Sequence, residues 1–219
     1  MNSDVYKIRD ICRRNIVKYT LEILSLVSGI DGFSVLDMGC GTGESDLALL
    51  EISKCRIVAV DSDTECISIL NDKIKALGLE NRIHVIHGSV FDQELIQEQF
   101  DLVMAEGLLN IIGFENGLDL MLKHLKQNGF LIIHDQWEND REKRRLFKKF
   151  ALEVIGTLEL NETVWWNEYY GCLEKYINAT DRSSHMKEIY EINEFKKNPE
   201  KNRSIIYLLA SKDDSPGRR

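Results

Sequence analysis

Three glycines alternate in the stretch VLDMGCGTGESDLALL (residues 35–50), and a carboxylate stands on each side of them. Asp37 lies two residues before the first glycine, and Glu44 directly follows the third. Glycine turns that open a helix commonly hold phosphates, because the amides at a helix N-terminus attract anions. At about 4 Å and an effective dielectric near 20, however, each carboxylate would oppose a phosphate charge by about 4 kcal/mol. The stretch therefore predicts a ligand that is cationic at this point.

The glycine spacing also differs from that of dinucleotide sites. Those sites use G-x-G-x-x-G, whereas this motif is G-C-G-T-G, and Glu44 occupies the place of the last glycine. S-adenosylmethionine (SAM) carries an ammonium and a sulfonium but no phosphate, and glycines let a backbone pass close to such a ligand. Asp61 ends the run RIVAVD, where an acidic side chain accepts hydrogen bonds from ribose hydroxyls. We therefore expect SAM and not NAD; the alternative is a turn that only tightens a strand-to-helix connection.

Helical and strand-like periods alternate along the chain. Apolar residues recur every three or four positions over 5–28, which predicts a helix. Five short apolar runs follow that are typical of strands buried on both faces: SVLDM, RIVAVD, RIHVIHG, FDLVMAE and GFLIIHD. Because helical stretches at 62–77, ended by Gly78, and at 115–127 separate some of these runs, we predict an α/β fold with a doubly wound parallel sheet. Beyond residue 151, EVIGTLEL and RSIIYLLAS predict two further strands.

Several of these runs carry a family resemblance. VLDMGCGTG, VAVDSD, HGSVFD, FDLVMAEG and LKQNGFLIIHD occur in an order and spacing that resemble those of class I SAM-dependent methyltransferases. The resemblance covers about residues 34–136 and is closest to the small-molecule enzymes of ubiquinone and menaquinone biosynthesis. It implies a Rossmann-like sheet of seven strands, mostly parallel, with helices on both faces and with 204–211 as a last, antiparallel strand.

The resemblance also implies which side chains contact the cofactor. The expected residues are Asp37, Gly39, Cys40 and Gly41 for the methionine part, Asp61 and Ser62 for the ribose and adenine, Ser89 and Val90 for the adenine edge, and Glu106 near the sulfonium. Many relatives have an aspartate where Ser89 stands, so Asp92 is an alternative partner for the adenine amino group.

Methyl transfer from SAM requires alignment and at most one base. Glu106, His134 and Asp135 end the fourth and fifth strands and are the expected catalytic residues. Two of them have structural alternatives, because Glu106 can stabilise a helix start and His134 can be a packed strand histidine. With Gln136, the two carboxylates resemble the metal ligands of catechol-type methyltransferases only loosely, and we expect no metal site.

Charge and cysteine content narrow the function further. The net charge of −8 argues against a nucleic-acid partner. The basic stretch 140–150 has apolar residues at helical spacing, so we interpret it as a helix with a solvated basic face rather than a patch for phosphates or lipids. Five scattered cysteines predict neither a disulfide framework nor a zinc site, which favours a reducing, cytoplasmic setting. No apolar run approaches the ~18 residues of a membrane span.

Together these observations predict a SAM-dependent methyltransferase for a small-molecule acceptor, present as a monomer or homodimer. We expect a single domain over 1–219, with 1–30 as a helical cap and 212–219 as a flexible tail. The insertion 161–198 would form part of a roof over the acceptor, although its aromatic residues 165–170 could equally pack as an ordinary apolar face. The alternatives are an inactive module that binds SAM or S-adenosylhomocysteine (SAH), and an RNA or protein methyltransferase. AEGLLN (105–110) stands where enzymes that methylate amino groups of adenine or glutamine have an NPPY-type segment, which argues against that class.

Overall fold

A seven-stranded sheet forms the centre of the protein. The structure is a computed structural model that describes residues 3–92, 94–180 and 182–211. The strands are β1 (Ser34–Met38), β2 (Arg56–Asp61), β3 (Ile83–His87), β4 (Phe100–Glu106), β5 (Leu125–Gln136), β6 (Leu152–Leu160) and β7 (Ser204–Ser211). Their order in the sheet is β3-β2-β1-β4-β5-β7-β6, and only β7 runs antiparallel to its neighbours, β5 and β6. The predicted sheet and its last strand at 204–211 are confirmed.

Helices cover both faces of the sheet. They are α1 (Ser3–Leu24), α2 (Glu44–Ile52), α3 (Thr64–Leu77), α4 (Leu109–Ile112), α5 (Phe114–Lys123), α6 (Asp140–Lys149), α7 (Glu162–Trp165), α8 (Gly171–Asn178) and α9 (Met186–Lys197). A π-helical turn, Trp166–Tyr170, joins α7 to α8. Apolar residues of α1, α2, α3, α8 and α9 form the core on one face, and those of α4, α5 and α6 form the core on the other. Burial of these two apolar layers is the main stabilising contribution to the fold.

Local signals begin and end α3, and the one at its end, Gly78, is the one that the sequence analysis named. Asp63 is the N-cap, and its side chain accepts hydrogen bonds from the backbone amides of Glu65 and Cys66. Gly78 ends the helix at φ 66°, a left-handed conformation that glycine adopts without a steric penalty. α3 therefore begins and ends close to the predicted range 62–77.

Two predicted helix ends are wrong. The N-terminal helix ends at Leu24 rather than at residue 28, and single turns continue to Val27. The helix predicted over 115–127 ends at Lys123, because Leu125 already pairs with Phe100 in the β4–β5 ladder. The strand thus begins four residues before Gly129, inside a stretch whose sequence still has helical spacing.

The predicted basic helix is present as α6, and its apolar residue Phe147 is buried. Several of its charges are paired: Arg144 with Asp140, and Lys149 with Glu115. No helix within 3–92, 94–180 and 182–211 is long and apolar enough to cross a membrane. The tail predicted at 212–219 lies outside the residues that the structure describes.

The cysteine expectation is wrong in one respect. Cys12 of α1 and Cys172 of α8 form a disulfide, with their Cα atoms 5.7 Å apart. They are separated by 160 residues in the chain, so their spacing gave no sign of the pairing. The bond links the N-terminal helix to the insertion between β6 and β7. Cys40, Cys55 and Cys66 are free thiols.

Candidate functional site

The glycine turn connects β1 to α2 in a conformation that requires its glycines. Gly39, Gly41 and Gly43 have φ values of 79°, 55° and 75°, which lie in the left-handed region that other residues rarely adopt. At Gly43 a Cβ atom would also lie 2.3 Å from the Leu70 side chain. The alternation of glycines is thus a requirement of the backbone conformation of this turn, which lies at the carboxyl edge of the sheet.

Two buried carboxyl groups lie beside this turn. Asp37 is the next-to-last residue of β1 and is 4% exposed, while Asp46, in the first turn of α2, is fully buried. In the described part of the chain, Asp37 Oδ1 and both carboxyl oxygens of Asp46 have no hydrogen-bond partner. Burial raises the pKa of Asp37, and the charges of Asp46 and Glu106 raise it further. Burial likewise raises the pKa of Asp46 to about 7. Asp46 was not among the predicted residues.

Glu44 does not contribute the free negative charge that the sequence suggested. Its Oε2 accepts a hydrogen bond from Arg14 Nε at 2.6 Å, and its Oε1 accepts one from Lys73 Nζ at 2.6 Å. Lys73 also bonds Asp10 Oδ2, and Asp10 Oδ1 accepts a bond from the Thr42 hydroxyl. This ion-pair cluster ties α1 and α3 to the glycine turn. The acidic character of the site therefore comes from Asp37 and its neighbours rather than from Glu44.

Asp61, the last residue of β2, joins the glycine turn to the start of α3. Its Oδ2 accepts a hydrogen bond from the Gly41 amide at 2.7 Å, and its Oδ1 accepts one from the Asp63 amide at 2.8 Å. Each carboxylate oxygen has a second lone pair, so Asp61 retains acceptor capacity toward a ligand. The side chain is half-buried at the carboxyl end of β2, next to the backbone of Gly41 and Cys40. Cys40 lies among Asp46, Asp37 and Asp61, and burial together with these charges raises the pKa of its thiol.

The residues predicted for the adenine edge follow β2 and β3. Ser62 and Ser89 are exposed, whereas Val90 is buried. Ser89 Oγ accepts a bond from the Phe91 amide. His87, which ends β3, lies 3.2 Å from the Ser62 carbonyl and was missed by the sequence analysis. Its position at a strand end was the available signal.

Glu106 and His134 lie on the same face of the sheet, paired in register across β4 and β5. Glu106 accepts hydrogen bonds from the hydroxyls of Thr20 on α1, at 2.6 Å, and Ser45 on α2, at 2.8 Å. His134 Nε2 lies 2.8 Å from Ser204 Oγ. The Trp165 ring stacks on the imidazole with centroids 6.1 Å apart. These contacts fix both candidate groups beneath α1 and α7.

Burial lowers the pKa of His134, an effect that the neighbouring charges of Glu106 and Asp135 oppose. The imidazole is therefore neutral at pH 7, which is the protonation state that a base requires. Ser204 Oγ also accepts a bond from Trp165 Nε1 at 3.0 Å, so the same hydroxyl holds both rings.

Asp135 points to the opposite face of the sheet, and this position argues against the catalytic role expected for it. Neighbouring residues of a strand face opposite sides, and Asp135 forms a buried ion pair with Lys143 of α6 at 2.6 Å. The Lys143 ammonium also donates to the Gln136 carbonyl. Asp135 thus stabilises the packing of α6 on β5 and does not reach the face that carries Glu106 and His134. Within the described ranges, no three potential metal-ligand side chains cluster in a way that could hold an ion.

The N-terminal helix and the insertion are joined above the carboxyl edge. Arg9 of α1 donates hydrogen bonds to Glu188 and Glu191 of α9 and to the Tyr169 hydroxyl. Asn15 donates to the Glu168 carbonyl in the π-helical turn. The aromatic residues Trp165, Trp166, Tyr169, Tyr170 and Phe195 pack in a continuous cluster. The two segments are therefore bonded to each other, and we call them together (α1 with 162–197) the roof, after the role predicted for them.

Two cavities lie at the other edge of the sheet. One, of about 720 Å³, is bounded by Gln99 and Lys126, and the second, of about 330 Å³, by Arg56 and Asn81. Both lie at the amino ends of the strands. Ligands of doubly wound sheets bind at the carboxyl ends, so these cavities are separate from the residues above.

Comparisons with known proteins agree with this geometry. A family model described as a methyltransferase domain matches residues 35–129. The ribosomal protein L11 methyltransferase of Desulforamulus reducens is 26% identical over 145 residues, which cover 65% of this chain and 44% of the relative. The demethylmenaquinone methyltransferase of Clavibacter sepedonicus is 29% identical over 108 residues, which cover 49% of this chain and 42% of the relative. The chain thus spans less than half of the length of these curated relatives.

Solved structures show the same fold. A SAM-dependent methyltransferase from Thiobacillus denitrificans, in complex with SAH, superposes with a TM-score of 0.70 and 14% identity, over 89% of this chain and 91% of that one. The match to the methyltransferase-domain model over residues 35–129, the methyltransferase relatives and the order of the sheet support the resemblance to class I SAM-dependent methyltransferases that the sequence predicted.

Proposed function

We propose that this protein binds SAM and transfers its methyl group to a small-molecule acceptor held beneath the roof. One observation carries the proposal: Asp37, a buried carboxyl with an oxygen that has no partner in the described part of the chain, stands beside a turn of three left-handed glycines. That combination offers a cationic amino group a charged acceptor, and it offers the rest of the ligand an unobstructed backbone.

The residues present fit SAM. Asp37 would accept the methionyl ammonium, and Gly39, Cys40 and Gly41 would lie under the methionine part. Asp61 would accept the ribose hydroxyls, and the exposed Ser62 and Ser89 with Val90 would border the adenine, as would His87. When bound, SAM supplies an already activated methyl group, so the protein needs to orient the acceptor and exclude water.

Glu106 and His134 are the proposed groups on the acceptor side. Both lie on the face covered by α1 and α7, where Thr20, Ser45 and Ser204 hold them in place. A neutral His134 whose Nε2 donates to Ser204 would have Nδ1 free to take a proton from the acceptor. Glu106, one strand away, would stabilise the imidazolium that forms.

A small acceptor is favoured because the roof encloses this edge. α1 crosses the glycine turn, where the Thr42 hydroxyl bonds Asp10, and it reaches the end of β4, where Thr20 bonds Glu106. The aromatic cluster of the insertion continues the cover over His134. A protein loop or an RNA strand would require these contacts to separate, whereas a small molecule requires only a local opening.

Calorimetry and a product assay test the proposal. We expect SAM and SAH to bind and NAD not to bind. We expect SAH to accumulate when the protein and SAM are incubated with a panel of phenols, amines, thiols and carboxylic acids. The variant His134→Asn should lower kcat by about 10²–10⁴-fold if the imidazole is the base, with SAH affinity nearly unchanged. Glu115→Gln, at an exposed ion pair on α5, is the matched control and should have no effect.

Each contrary result has a distinct meaning. Binding of NAD without binding of SAM would overturn the proposed cofactor. Tight SAH binding with no SAH formed from any acceptor class would favour the inactive binding module. Turnover confined to protein or RNA substrates would contradict the small-molecule assignment.

A further inference from the structure

Asp37 and Asp46 form an arrangement that the proposed transfer reaction does not explain. Asp37 is 4% exposed and Asp46 is fully buried, and each is in electrostatic contact with the other. Three of their four carboxyl oxygens have no hydrogen-bond partner among the residues that the structure describes. A buried carboxylate without partners is strongly unfavourable, so two side by side need either a proton or a cation between them.

Asp46 does not cap the helix to which it belongs. It is the third residue of α2, where an acidic side chain commonly accepts the amide of the N-cap residue. Here the N-cap is Gly43, and its amide donates to the Cys40 carbonyl instead. The nearby cations Arg14 and Lys73 are bonded to Glu44. The Asp46 carboxyl is therefore directed into the site without a structural role in α2.

The charged and titratable groups around the pair come from every element that packs there. They are Cys40 of the glycine turn, Arg13 of α1 beside Gly41, Asp61 from β2, Glu106 from β4 and His134 from β5, with the hydroxyls of Thr20 from α1 and Ser45 from α2. Glu106 is bonded to those two hydroxyls, and His134 is neutral because burial lowers its pKa. The carboxylates among these neighbours favour retention of a proton by the pair.

We propose that Asp37 and Asp46 share one proton in the free protein, and that the amino group of SAM or SAH displaces it on binding. In the free protein one carboxyl donates its hydrogen to the other. In the complex both are carboxylates that accept from the ligand's ammonium, and the displaced proton passes to solvent. No bond other than hydrogen bonds changes. This inference rests on the proposed function and assigns Asp46 a binding role beside Asp37.

The ionisation of the pair is consistent with this exchange. Carboxylates only accept hydrogen bonds, so Asp37 and Asp46 can bond each other only when one of them carries a proton. Burial raises the pKa of Asp37, and it raises the pKa of Asp46 to about 7. Proton release should therefore occur near neutral pH, where the amino group of the ligand, with a pKa near 8, is still charged.

Calorimetry in buffers of different ionisation enthalpy measures the exchange directly. SAH is titrated into the wild-type protein at pH 6.5 in phosphate and in a high-enthalpy amine buffer. We expect close to one proton released per SAH bound, and SAH affinity rising by up to tenfold for each pH unit between pH 5.5 and 6.5. SAM should release the same number of protons, because its amino group is identical. Release with SAM alone would overturn the assignment to the amino group.

The variant Asp46→Asn removes the shared proton while keeping the shape of the side chain. It should release fewer protons per SAH bound than the wild type and show a weaker dependence of affinity on pH over the same range, because only Asp37, with the effect of its own burial, still titrates. Asp119→Asn, at an exposed position on α5, is the matched control and should behave as the wild type does. If the wild-type protein binds SAH without proton release, the inference fails although the proposed function stands. If neither SAM nor SAH binds, the proposed function itself fails.

Discussion

Replacing Asp61 by asparagine tests the proposed ribose contact at the end of β2. In the structure this carboxylate already holds the amides of Gly41 and Asp63, at 2.7 and 2.8 Å. Alanine would leave both amides without their acceptor and would disturb the glycine turn. Asparagine keeps one oxygen acceptor and the shape of the side chain, so it separates the loss of ligand contacts from the loss of the fold.

The expected loss of affinity follows from the hydrogen bonds removed. A hydrogen bond to a charged group contributes about 1.5–3 kcal/mol, and Asp61 would accept one from each ribose hydroxyl. Asparagine retains the capacity for one of them, so the binding free energy should weaken by about 1.5–3 kcal/mol. This change corresponds to a roughly ten- to 150-fold higher Kd for SAH. In this variant one of the two backbone amides that Asp61 holds would face the side-chain NH₂ group instead of an oxygen. The melting temperature should therefore fall as well.

The assay is isothermal titration with SAH and with its 2′,3′-dideoxy analogue. The wild-type protein should prefer SAH strongly, whereas Asp61→Asn should lose most of that preference. Asp63→Asn is the matched control: it removes a charge two residues away, and asparagine caps α3 as well as aspartate does. It should change the Kd by less than about threefold. An unchanged preference for SAH over the analogue in Asp61→Asn would refute the assignment of the ribose to this carboxylate.

Three further predictions concern stability. Lys143→Met should lower the free energy of unfolding in urea by about 3–5 kcal/mol, because it leaves a buried carboxylate unpaired, whereas Lys149→Met, at an exposed pair, should cost below about 1 kcal/mol. Thiol titration of the unfolded protein should find three reactive cysteines before reduction and five after, and reduction should destabilise the fold by about 2–4 kcal/mol. Burial raises the pKa of Asp37 and Asp46, so the folded protein retains a proton that the unfolded chain releases near pH 4. The free energy of unfolding should therefore fall as pH rises from about 4 to about 7, and Asp46→Asn should flatten that decline in urea titrations at stepped pH.

Local signals account for what the sequence predicted well. The limits of α3 follow from Asp63 and Gly78, and the glycine turn follows from three residues that tolerate positive φ. The last strand was predicted from an apolar run together with the family resemblance, and the structure has it at 204–211. Such features depend on a few residues that are adjacent in the chain, so they can be predicted from the sequence.

Features that depend on distant pairing were not predictable in the same way. The end of α5 is set by the pairing of Leu125 with Phe100, which overrides a helical pattern. The disulfide joins two helices whose packing is known only once the fold is known. The exclusion of Asp135 was accessible in principle, however, since adjacent strand residues face opposite sides and His134 takes the site face.

Negative charge at the glycine turn still disfavours a phosphate ligand, although only one of the two carboxylates named from the sequence, Asp37, contributes to it. Glu44 is neutralised by Arg14 and Lys73, which come from helices that no local pattern places beside it. Asp46, two residues further along, supplies a buried carboxyl in its place. A pyrophosphate at this turn would face the pair Asp37 and Asp46, which keeps one negative charge even when the two carboxyls share a proton. At about 4 Å and an effective dielectric near 20, that charge opposes a phosphate charge by about 4 kcal/mol. We therefore expect the folded site to prefer a cationic ligand, through the Asp37 carboxyl that the motif reveals and a second one that the packing of α2 provides.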